Sequence, residues 1–278
     1  MKKIIYFTAI FISINLSAQT NYLGFIDKYP IELLTNIRTS GNSYGVYVYS
    51  EKDEPIKLEG KLEQQKLIFF EKDTKGNKTS SLIFDNFISY KETINGIWKD
   101  LKTEKELNII LYKKESTSDG IIQQESIDDK YFRIIVDSEI VSQIKIFQKK
   151  TDKLLQKFDV DCRNSNMYCI STGDFNFDGF QDFSIFESSY AGPNTSSLYF
   201  LYNPKTKKFF ESGFVGTSLE FDKKRKIITE TNQCCAGSSI INADYKVVKN
   251  KMILIKEHCF KWNEKKQALV EQKPSKCH

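Results

Sequence analysis

The chain has 278 residues, of which 40% are hydrophobic and 28% are charged, and its formal net charge is +5. This length is enough for one large or two ordinary domains. The positive charge is small and spread along the chain, unlike the clustered lysines and arginines of a nucleic-acid-binding surface, so we exclude a nucleic-acid partner.

Residues 1–18 have the pattern of a secretory signal peptide. Lys2 and Lys3 precede an apolar run over residues 4–16, and the small residues Ser17 and Ala18 follow it. Cleavage after Ala18 removes 18 residues and two lysines, which takes the chain from 278 to 260 residues and the charge from +5 to +3. The run is shorter than the roughly 20 apolar residues of a spanning helix, and an uncleaved anchor is the alternative. We expect a periplasmic or extracellular protein with no membrane span after cleavage.

Residues 19–115 are predicted to form an antiparallel β-meander. Segments in which apolar and polar residues alternate are separated by Gly, Asn and Asp, which is typical of half-buried strands joined by turns. The predicted strands are residues 30–33, 45–50, 56–62, 66–72, 80–85, 93–100 and 107–113.

Residues 116–130 are predicted to be a linker, because this stretch is polar and holds little that could build a core. A second β pattern begins at residue 131 and continues to the end of the chain. Its strands are predicted at residues 131–137, 142–149, 154–161, 227–232, 244–250 and 251–263, with a strand–turn–strand unit at 196–212. The fold class is therefore all-β, with a meander followed by a second β-rich domain at 131–278.

Six cysteines all follow residue 160, and behind a signal peptide an even count suggests disulfides. Cys162 and Cys169 are close enough in sequence for a local bridge. Cys234 and Cys235 are adjacent, so we expect them to pair outward, with Cys259 and Cys277 as partners; sequence alone does not choose among the pairings. A zinc site is the competing interpretation, but the spacings lack a C-x-x-C pair.

The most informative stretch is "GDFNFDGFQDFSIF", residues 173–186. Counting from Asp174, it reads D-x-N-x-D-G-x-x-D, with a glycine at the sixth position that permits a sharp turn. Calcium prefers six to eight hard oxygen ligands from carboxylates, amides and backbone carbonyls. The predicted calcium ligands are Asp174, Asn176, Asp178, the carbonyl of Phe180, and Asp182.

The twelfth position of this loop is Ile185, whereas an EF-hand carries Glu there, and the flanks are predicted strands. Asp182 is therefore expected to close the site, as in calcium loops between strands. The interleaved Phe175, Phe177, Phe180 and Phe183 are expected to pack as core. An Asp/Asn-rich turn without metal is the alternative.

The stretch from Gly173 to Ser212 resembles the integrin-α-like (FG-GAP/VCBS-type) calcium loop, and more closely a family of small bacterial periplasmic proteins with one such loop. In that family the loop precedes a Gly/Asn turn, an aromatic strand of the "YFLYN" kind and a Lys/Thr turn leading to Phe. The resemblance covers roughly residues 131–259 and implies the same calcium ligands. The better-understood members are immunity proteins that neutralise lysozyme-like effectors, which implies a cell-wall hydrolase as partner.

Two predicted loops and one basic run are candidate binding segments. Residues 188–195 hold the candidate partner-binding residues Ser189, Tyr190 and Asn194, since tyrosine anchors are common at interfaces, although a plain hairpin connection is the alternative. Residues 232–239 are a second candidate loop, expected to be held by a disulfide. The run 223–226, Lys-Lys-Arg-Lys, is predicted to be a solvated turn, with a phosphate or acidic-partner site as the alternative.

Signals of catalysis are weak. Glu71, Glu187 and Glu230 are acids without an indicated pairing, and His258 is expected to be a structural histidine. We therefore expect a secreted or periplasmic, calcium-binding, non-enzymatic binding protein, and more specifically an inhibitor or immunity protein against a peptidoglycan hydrolase. A structural or glycan- or protein-binding module is the alternative, and a hydrolase is the third.

Overall fold

A computed structural model describes residues 17–115, 119–137, 139–163 and 168–273. The all-β prediction is confirmed: within these ranges the chain forms 21 strands and one short 3-10 turn at Cys235–Gly237. No helix in the described ranges is long and apolar enough to cross a membrane.

The chain divides into two compact units. One contains the chain up to Tyr47 together with Lys57–Glu115, and the other contains Val48–Ile56 and the chain from Ser116 onward. The short segment Val48–Ile56 thus belongs with the second unit although it lies within the first in sequence.

The first unit is a closed antiparallel barrel in which each strand pairs with its sequence neighbour and β1 pairs with β8. The side chains of Tyr22, Leu33, Phe69 and Leu111 fill the interior and are fully buried. The strands are β1 (Ser17–Ile26), β2 (Tyr29–Arg38), β3 (Asn42–Tyr49), β4 (Ile56–Glu63), β5 (Lys66–Lys72), β6 (Lys78–Phe84), β7 (Thr93–Asp100) and β8 (Glu106–Lys113).

β1 was not among the predicted strands, and it includes Ser17 and Ala18 from the predicted signal peptide. Its middle pairs with β8, with Leu23 opposite Tyr112 and Phe25 opposite Ile110. This long-range pairing is what turns the predicted meander into a closed barrel, and closure removes the exposed edges of the sheet.

The second unit contains three antiparallel sheets. The first has the order β12-β11-β10-β9, with β9 (Ile121–Ile127), β10 (Lys130–Asp137), β11 (Ile140–Gln148) and β12 (Lys153–Arg163). The second consists of β13 (Ile170–Gly173), β14 (Asp182–Ser189), β15 (Thr195–Asn203) and β16 (Lys208–Glu211) in sequence order. The third consists of β17 (Glu220–Asp222), β18 (Ile227–Cys234), β19 (Ser239–Val248), β20 (Lys251–Asn263) and β21 (Ala268–Gln272), also in order.

The segment predicted as a linker, residues 116–130, contains β9. Ile122, Gln123 and Ile127 of this strand are buried, and β9 pairs with β10. The polar composition of the segment did not indicate a buried strand. One of its polar side chains, Gln123, is buried because it accepts a hydrogen bond from the N–H of Cys169 at 3.0 Å.

Aromatic packing between the first two sheets forms the main core of the second unit. The ring of Phe183 stacks on Phe200 at a centroid distance of 4.6 Å, and it also contacts Phe132 at 4.9 Å and Phe209 at 5.0 Å. All four side chains are buried. β14, which begins at Asp182 directly after the acidic loop, is thereby anchored in the core.

The cysteine predictions require correction. Cys162 and Cys169 are buried thiols rather than a local disulfide, and both lie within the aromatic core. Cys234 and Cys235 form a disulfide with each other instead of pairing outward. Cys235 begins the turn Cys235–Gly237, in which Cys235 and Ala236 both adopt positive φ. Cys259 is buried and disulfide-bonded, and Cys277 lies outside the described residues.

Candidate calcium loop and its surroundings

The acidic loop connects β13 to β14, where Gly173 pairs with Asp182. Residues 174–181 therefore leave and re-enter the sheet at adjacent positions of an antiparallel pair. The loop is a chain reversal built on short polar side chains, whose oxygens can bind nearby backbone N–H groups.

The first predicted ligand, Asp174, accepts two backbone hydrogen bonds from the middle of the loop. Its Oδ1 accepts from the N–H of Asp178 and its Oδ2 from the N–H of Gly179, both at 3.0 Å. The carboxylate therefore lies inside the curl of the loop.

Asn176 and Asp178 face the same turn. Asn176 Oδ1 accepts from the N–H of Asp178 at 3.1 Å, and its Nδ2 donates to Asp178 Oδ2 at 2.8 Å. Asp178 Oδ1 accepts from the N–H of Phe180 at 3.0 Å. The structure thus brings together three of the side chains that spacing had selected.

Two backbone conformations shape the loop. Gly179 has φ +95°, with open space around the position of a Cβ, as expected for the glycine at the sixth position. Phe177 has φ 63°, in the left-handed region that phenylalanine rarely adopts. No sequence pattern signals this second reversal.

Asp182 is fully buried and fastens the loop to the sheet. Its Oδ2 accepts from the N–H of Phe175 and its Oδ1 from the N–H of Tyr202 in β15, both at 2.8 Å. Burial raises the pKa of this carboxyl to about 6, although the backbone donors act in the opposite direction. The ninth position of the loop is thus a buried carboxyl held by main-chain donors.

Three of the four phenylalanines pack as predicted. Phe177 and Phe183 are buried, and Phe175 packs against Tyr199 and Phe221 at centroid distances of 5.1 and 4.7 Å. The prediction was wrong for Phe180, whose side chain is 43% exposed. This residue follows Gly179 at the loop tip, where the chain has turned away from the core.

The oxygen-rich donor set suits a hard cation such as calcium. In the ranges that the structure describes, no three or more carboxylate, imidazole or thiol groups form a metal centre. Calcium would therefore depend on the amide oxygen of Asn176 and on backbone carbonyls as well as on the carboxylates.

Turns of the third sheet contact the loop. Asn176 Nδ2 donates to Asn250 Oδ1 at 3.0 Å, and Lys226 Nζ donates to the carbonyl oxygen of Phe177 at 3.3 Å. Both partners belong to hairpin turns that the sequence places far from the loop.

The candidate partner-binding residues lie around the turn between β14 and β15. Ser189 is exposed at the end of β14, and Tyr190 is 55% exposed. Asn194 is buried, and it donates from Nδ2 to the carbonyl oxygen of Gln233 at 2.7 Å and accepts from the N–H of the same residue at 3.0 Å. Asn194 thus joins its loop to the residues that precede the Cys234–Cys235 disulfide.

Two of the three acids considered for catalysis, Glu71 and Glu230, have separate partners. Glu71 Oε1 accepts from Tyr47 Oη at 2.7 Å and from Trp98 Nε1 at 2.8 Å. Glu230 accepts from Tyr245 Oη at 2.7 Å and from the N–H of Thr217 at 2.8 Å.

His258 Nδ1 lies 2.6 Å from Glu271 Oε1, on neighbouring strands of the third sheet. This contact gives His258 a structural partner, as expected for a histidine on a strand.

No protein-family model matches the chain, and no curated protein matches it. Among solved structures it is similar to a Xanthomonas type IV secretion system related protein, with 11% identity and a TM-score of 0.28 over 93% of this chain and 99% of that chain. It is also similar to an oligogalacturonate lyase from Vibrio parahaemolyticus, with 10% identity and a TM-score of 0.22 over 90% of this chain and 88% of the other. A protein from Lactobacillus plantarum has 11% identity and a TM-score of 0.23, over 92% and 95% of the two chains. TM-scores this low support no argument about function.

Proposed function

We propose that this chain is a secreted or periplasmic, non-enzymatic binding protein whose second unit is stabilised by calcium at the loop 174–182. One observation carries the proposal: the side-chain oxygens of Asp174, Asn176 and Asp178 all bind backbone N–H groups of the same turn. Oxygen atoms of the kind that calcium prefers therefore face the inside of a curled loop, and Asp182 fastens that loop to the sheet.

A cation at this position would have a clear energetic role. Carboxylates held close together repel one another, and a fully buried one such as Asp182 is costly to ionise. A bound cation offsets both effects. Because the loop is hydrogen-bonded to Tyr202, Asn250 and Lys226, calcium would stabilise the loop together with two of the sheets.

The binding role is assigned to the exposed loop after β14, with Tyr190 as its anchor. Its sharpest form is an inhibitor or immunity protein against a lysozyme-like hydrolase in the cell envelope, a form that rests on the family resemblance. An envelope module that binds glycan or another protein is the broader alternative.

The calcium proposal is tested by thermal unfolding in 10 mM calcium and in chelator. Extracellular loops of this kind bind with a Kd of about 10⁻³ M, so calcium should stabilise by about 1.4 kcal/mol and raise Tm by about 3–6 °C. Asp178→Ala should abolish the increase.

The matched control is Asp85→Ala, which removes an exposed aspartate paired with Lys66 in the barrel unit. This variant should keep the full calcium effect. Equal melting of the wild-type protein in calcium and in chelator would refute the calcium site.

The binding role is tested by affinity capture from envelope extract with calcium present, followed by muramidase inhibition assays with the captured proteins. Tyr190→Ala should weaken capture, whereas Val215→Ala, at another exposed apolar position, should not. Without inhibition of any muramidase-type enzyme the inhibitor form is wrong. Turnover of peptidoglycan by the purified protein would replace it with a hydrolase.

A further inference from the structure

Two hairpin turns with many lysines emerge at the same end of the third sheet. Asp222 pairs with Ile227 around the turn 223–226, and Val248 pairs with Lys251 around Lys249 and Asn250. Ile227 in turn pairs with Lys246, which places the two turns side by side. We name this cluster the basic end; its residues are Lys223, Lys224, Arg225, Lys226, Lys246, Lys249 and Lys251.

All seven side chains of the basic end are exposed. Arg225 pairs with Asp222 at 2.6 Å, and Lys226 donates to the carbonyl oxygen of Phe177. The other five lysines form no ion pair within the described part of the chain, although the acidic loop reaches this end of the sheet through the hydrogen bond between Asn176 and Asn250.

Some lysines elsewhere in the described chain are paired with acids, among them Lys66 with Asp85 at 3.1 Å and Lys113 with Glu92 at 3.1 Å. The sequence separates the two halves of the basic end by about twenty residues, so the run 223–226 by itself predicts only a solvated turn. Sheet pairing turns it into part of a concentrated positive surface.

Aliphatic side chains lie among these lysines. Val248, 42% exposed, is directly opposite Lys251, and Ile253, 43% exposed, is directly opposite Lys246. Directly paired residues have Cβ atoms about 4.5–5.5 Å apart on the same face of the sheet. The surface therefore alternates ammonium groups with exposed hydrocarbon.

This chemistry distinguishes between kinds of anionic partner. A small anion requires convergent, partly buried donors, and every cation here is exposed on a flexible stem. A soluble polyanion would satisfy the lysines but would leave Val248 and Ile253 in water. A bilayer with anionic headgroups satisfies both, because lysines bind the headgroups and aliphatic residues enter the boundary with the acyl chains.

We propose that the basic end binds the surface of a lipid bilayer that contains anionic phospholipid. The lysines supply the attraction, and Val248 and Ile253 supply the contact with hydrocarbon. The inference goes beyond the proposed function and does not depend on calcium as a ligand.

The test is co-sedimentation of the full chain with vesicles of 30% phosphatidylglycerol in phosphatidylcholine, in a buffer with 1 mM calcium. The protein should sediment with these vesicles and should not sediment with vesicles of pure phosphatidylcholine. It should dissociate in 0.5 M NaCl, because salt screens the attraction between lysines and anionic headgroups. The variant Lys224→Glu, Lys249→Glu, Lys251→Glu should bind at least about tenfold more weakly.

A second triple variant tests whether vesicle binding depends on where the lysines lie or only on the net charge of the protein. Lys61→Glu, Lys66→Glu and Lys72→Glu change the net charge equally, but on barrel lysines that are already paired with acids. This variant should retain binding. Equal losses in both triple variants, with both shown by circular dichroism to be folded, would overturn the proposal, as would calcium-dependent binding that the first variant leaves intact.

A separate variant tests the contact of Val248 and Ile253 with hydrocarbon. Val248→Ser with Ile253→Ser should weaken vesicle binding severalfold while leaving binding to soluble polyphosphate unchanged. If wild-type protein binds polyphosphate but not the vesicles, or if the double variant binds vesicles as well as the wild type, the bilayer assignment is wrong.

Discussion

At the scale of single residues, the chemistry of this protein depends on where each polar atom is buried. Asp182 and Asp178 are both loop aspartates, yet one is fully buried between two backbone donors and the other is exposed at the tip. The same contrast separates the cysteines, since Cys162 is in the core and Cys234 is exposed.

The Cys162 thiol should be inert in the folded protein. Burial raises its pKa to about 12, so thiolate is almost absent at pH 8 and reagents cannot reach the sulfur. Iodoacetamide at pH 8 should modify neither Cys162 nor Cys169 in native protein and both in urea, as measured by peptide mass spectrometry. Rapid native labelling of either would contradict the burial of these thiols.

At Gly24 the backbone of β1 passes so close to β8 that a side chain cannot fit. A Cβ at this position would lie 2.0 Å from the carbonyl oxygen of Ile110. Gly24→Ala should therefore separate the strands that close the barrel and lower the free energy of unfolding by about 3 kcal/mol or more. Urea titration of both variants measures this loss. Gly45→Ala, where the atom nearest to the added Cβ is 3.2 Å away, should lower the free energy of unfolding clearly less.

At the scale of elements, the acidic loop is one structure with two sides. Its carboxylates and amide turn inward, and Phe175 and Phe177 pack against the aromatic residues of neighbouring strands. This division does not come from the alternation of an extended strand, because residues 175–180 are bent and Phe177 has φ 63°. It comes from side-chain oxygens that bind the N–H groups of the loop, and Phe180, which follows Gly179 at the tip, is left exposed.

Two phenylalanines of this segment provide a matched comparison. Phe183→Ala should destabilise the second unit by about 3–5 kcal/mol, because it removes a buried ring stacked on Phe200. Phe180→Ala, at an exposed position, should cost less than about 1 kcal/mol. Chemical denaturation of both variants checks this, and similar losses would mean that the loop tip is packed.

At the scale of the whole molecule, the chain does not divide at a single point. The segment Val48–Ile56 belongs to the second unit, although the residues before and after it belong to the first. Within the second unit, Asp53 accepts from the N–H of Lys150 at 2.6 Å, and Glu54 pairs with Lys149 at 2.6 Å. The chain also passes from the first unit to the second between Glu115 and Ser116. Nothing in the composition of residues 48–56 indicates that they contact a turn about one hundred residues later.

Asp53 should make stability depend on pH. Burial is the main cause that raises its pKa above 3.8, ahead of the neighbouring charges. The folded state therefore holds this proton more tightly than the unfolded state, and the contribution of Asp53 to stability falls as pH rises from 3.8 through the raised value.

Asp53→Asn removes this dependence, so the wild type should lose stability relative to the variant as pH rises above 3.8. Asp73 is the opposite control: hydrogen bonds from Asn77 lower its pKa, so its contribution is present at neutral pH and is lost as pH falls. Urea midpoints at several pH values should show slopes of opposite sign for Asp53→Asn and Asp73→Asn, and parallel profiles would contradict both assignments.

The sequence by itself determined the all-β class, most strand positions and the composition of the acidic loop, because these follow from local alternation, turn residues and ligand spacing. Only the tertiary structure decided the closure of the barrel by β1 and β8, the strand within the predicted linker, the pairing of Cys234 with Cys235, and the union of two basic turns. Each of these depends on which distant segments pair. Many pairings satisfy the same pattern of hydrophobic and polar residues, so the choice is made by the packing of the complete chain.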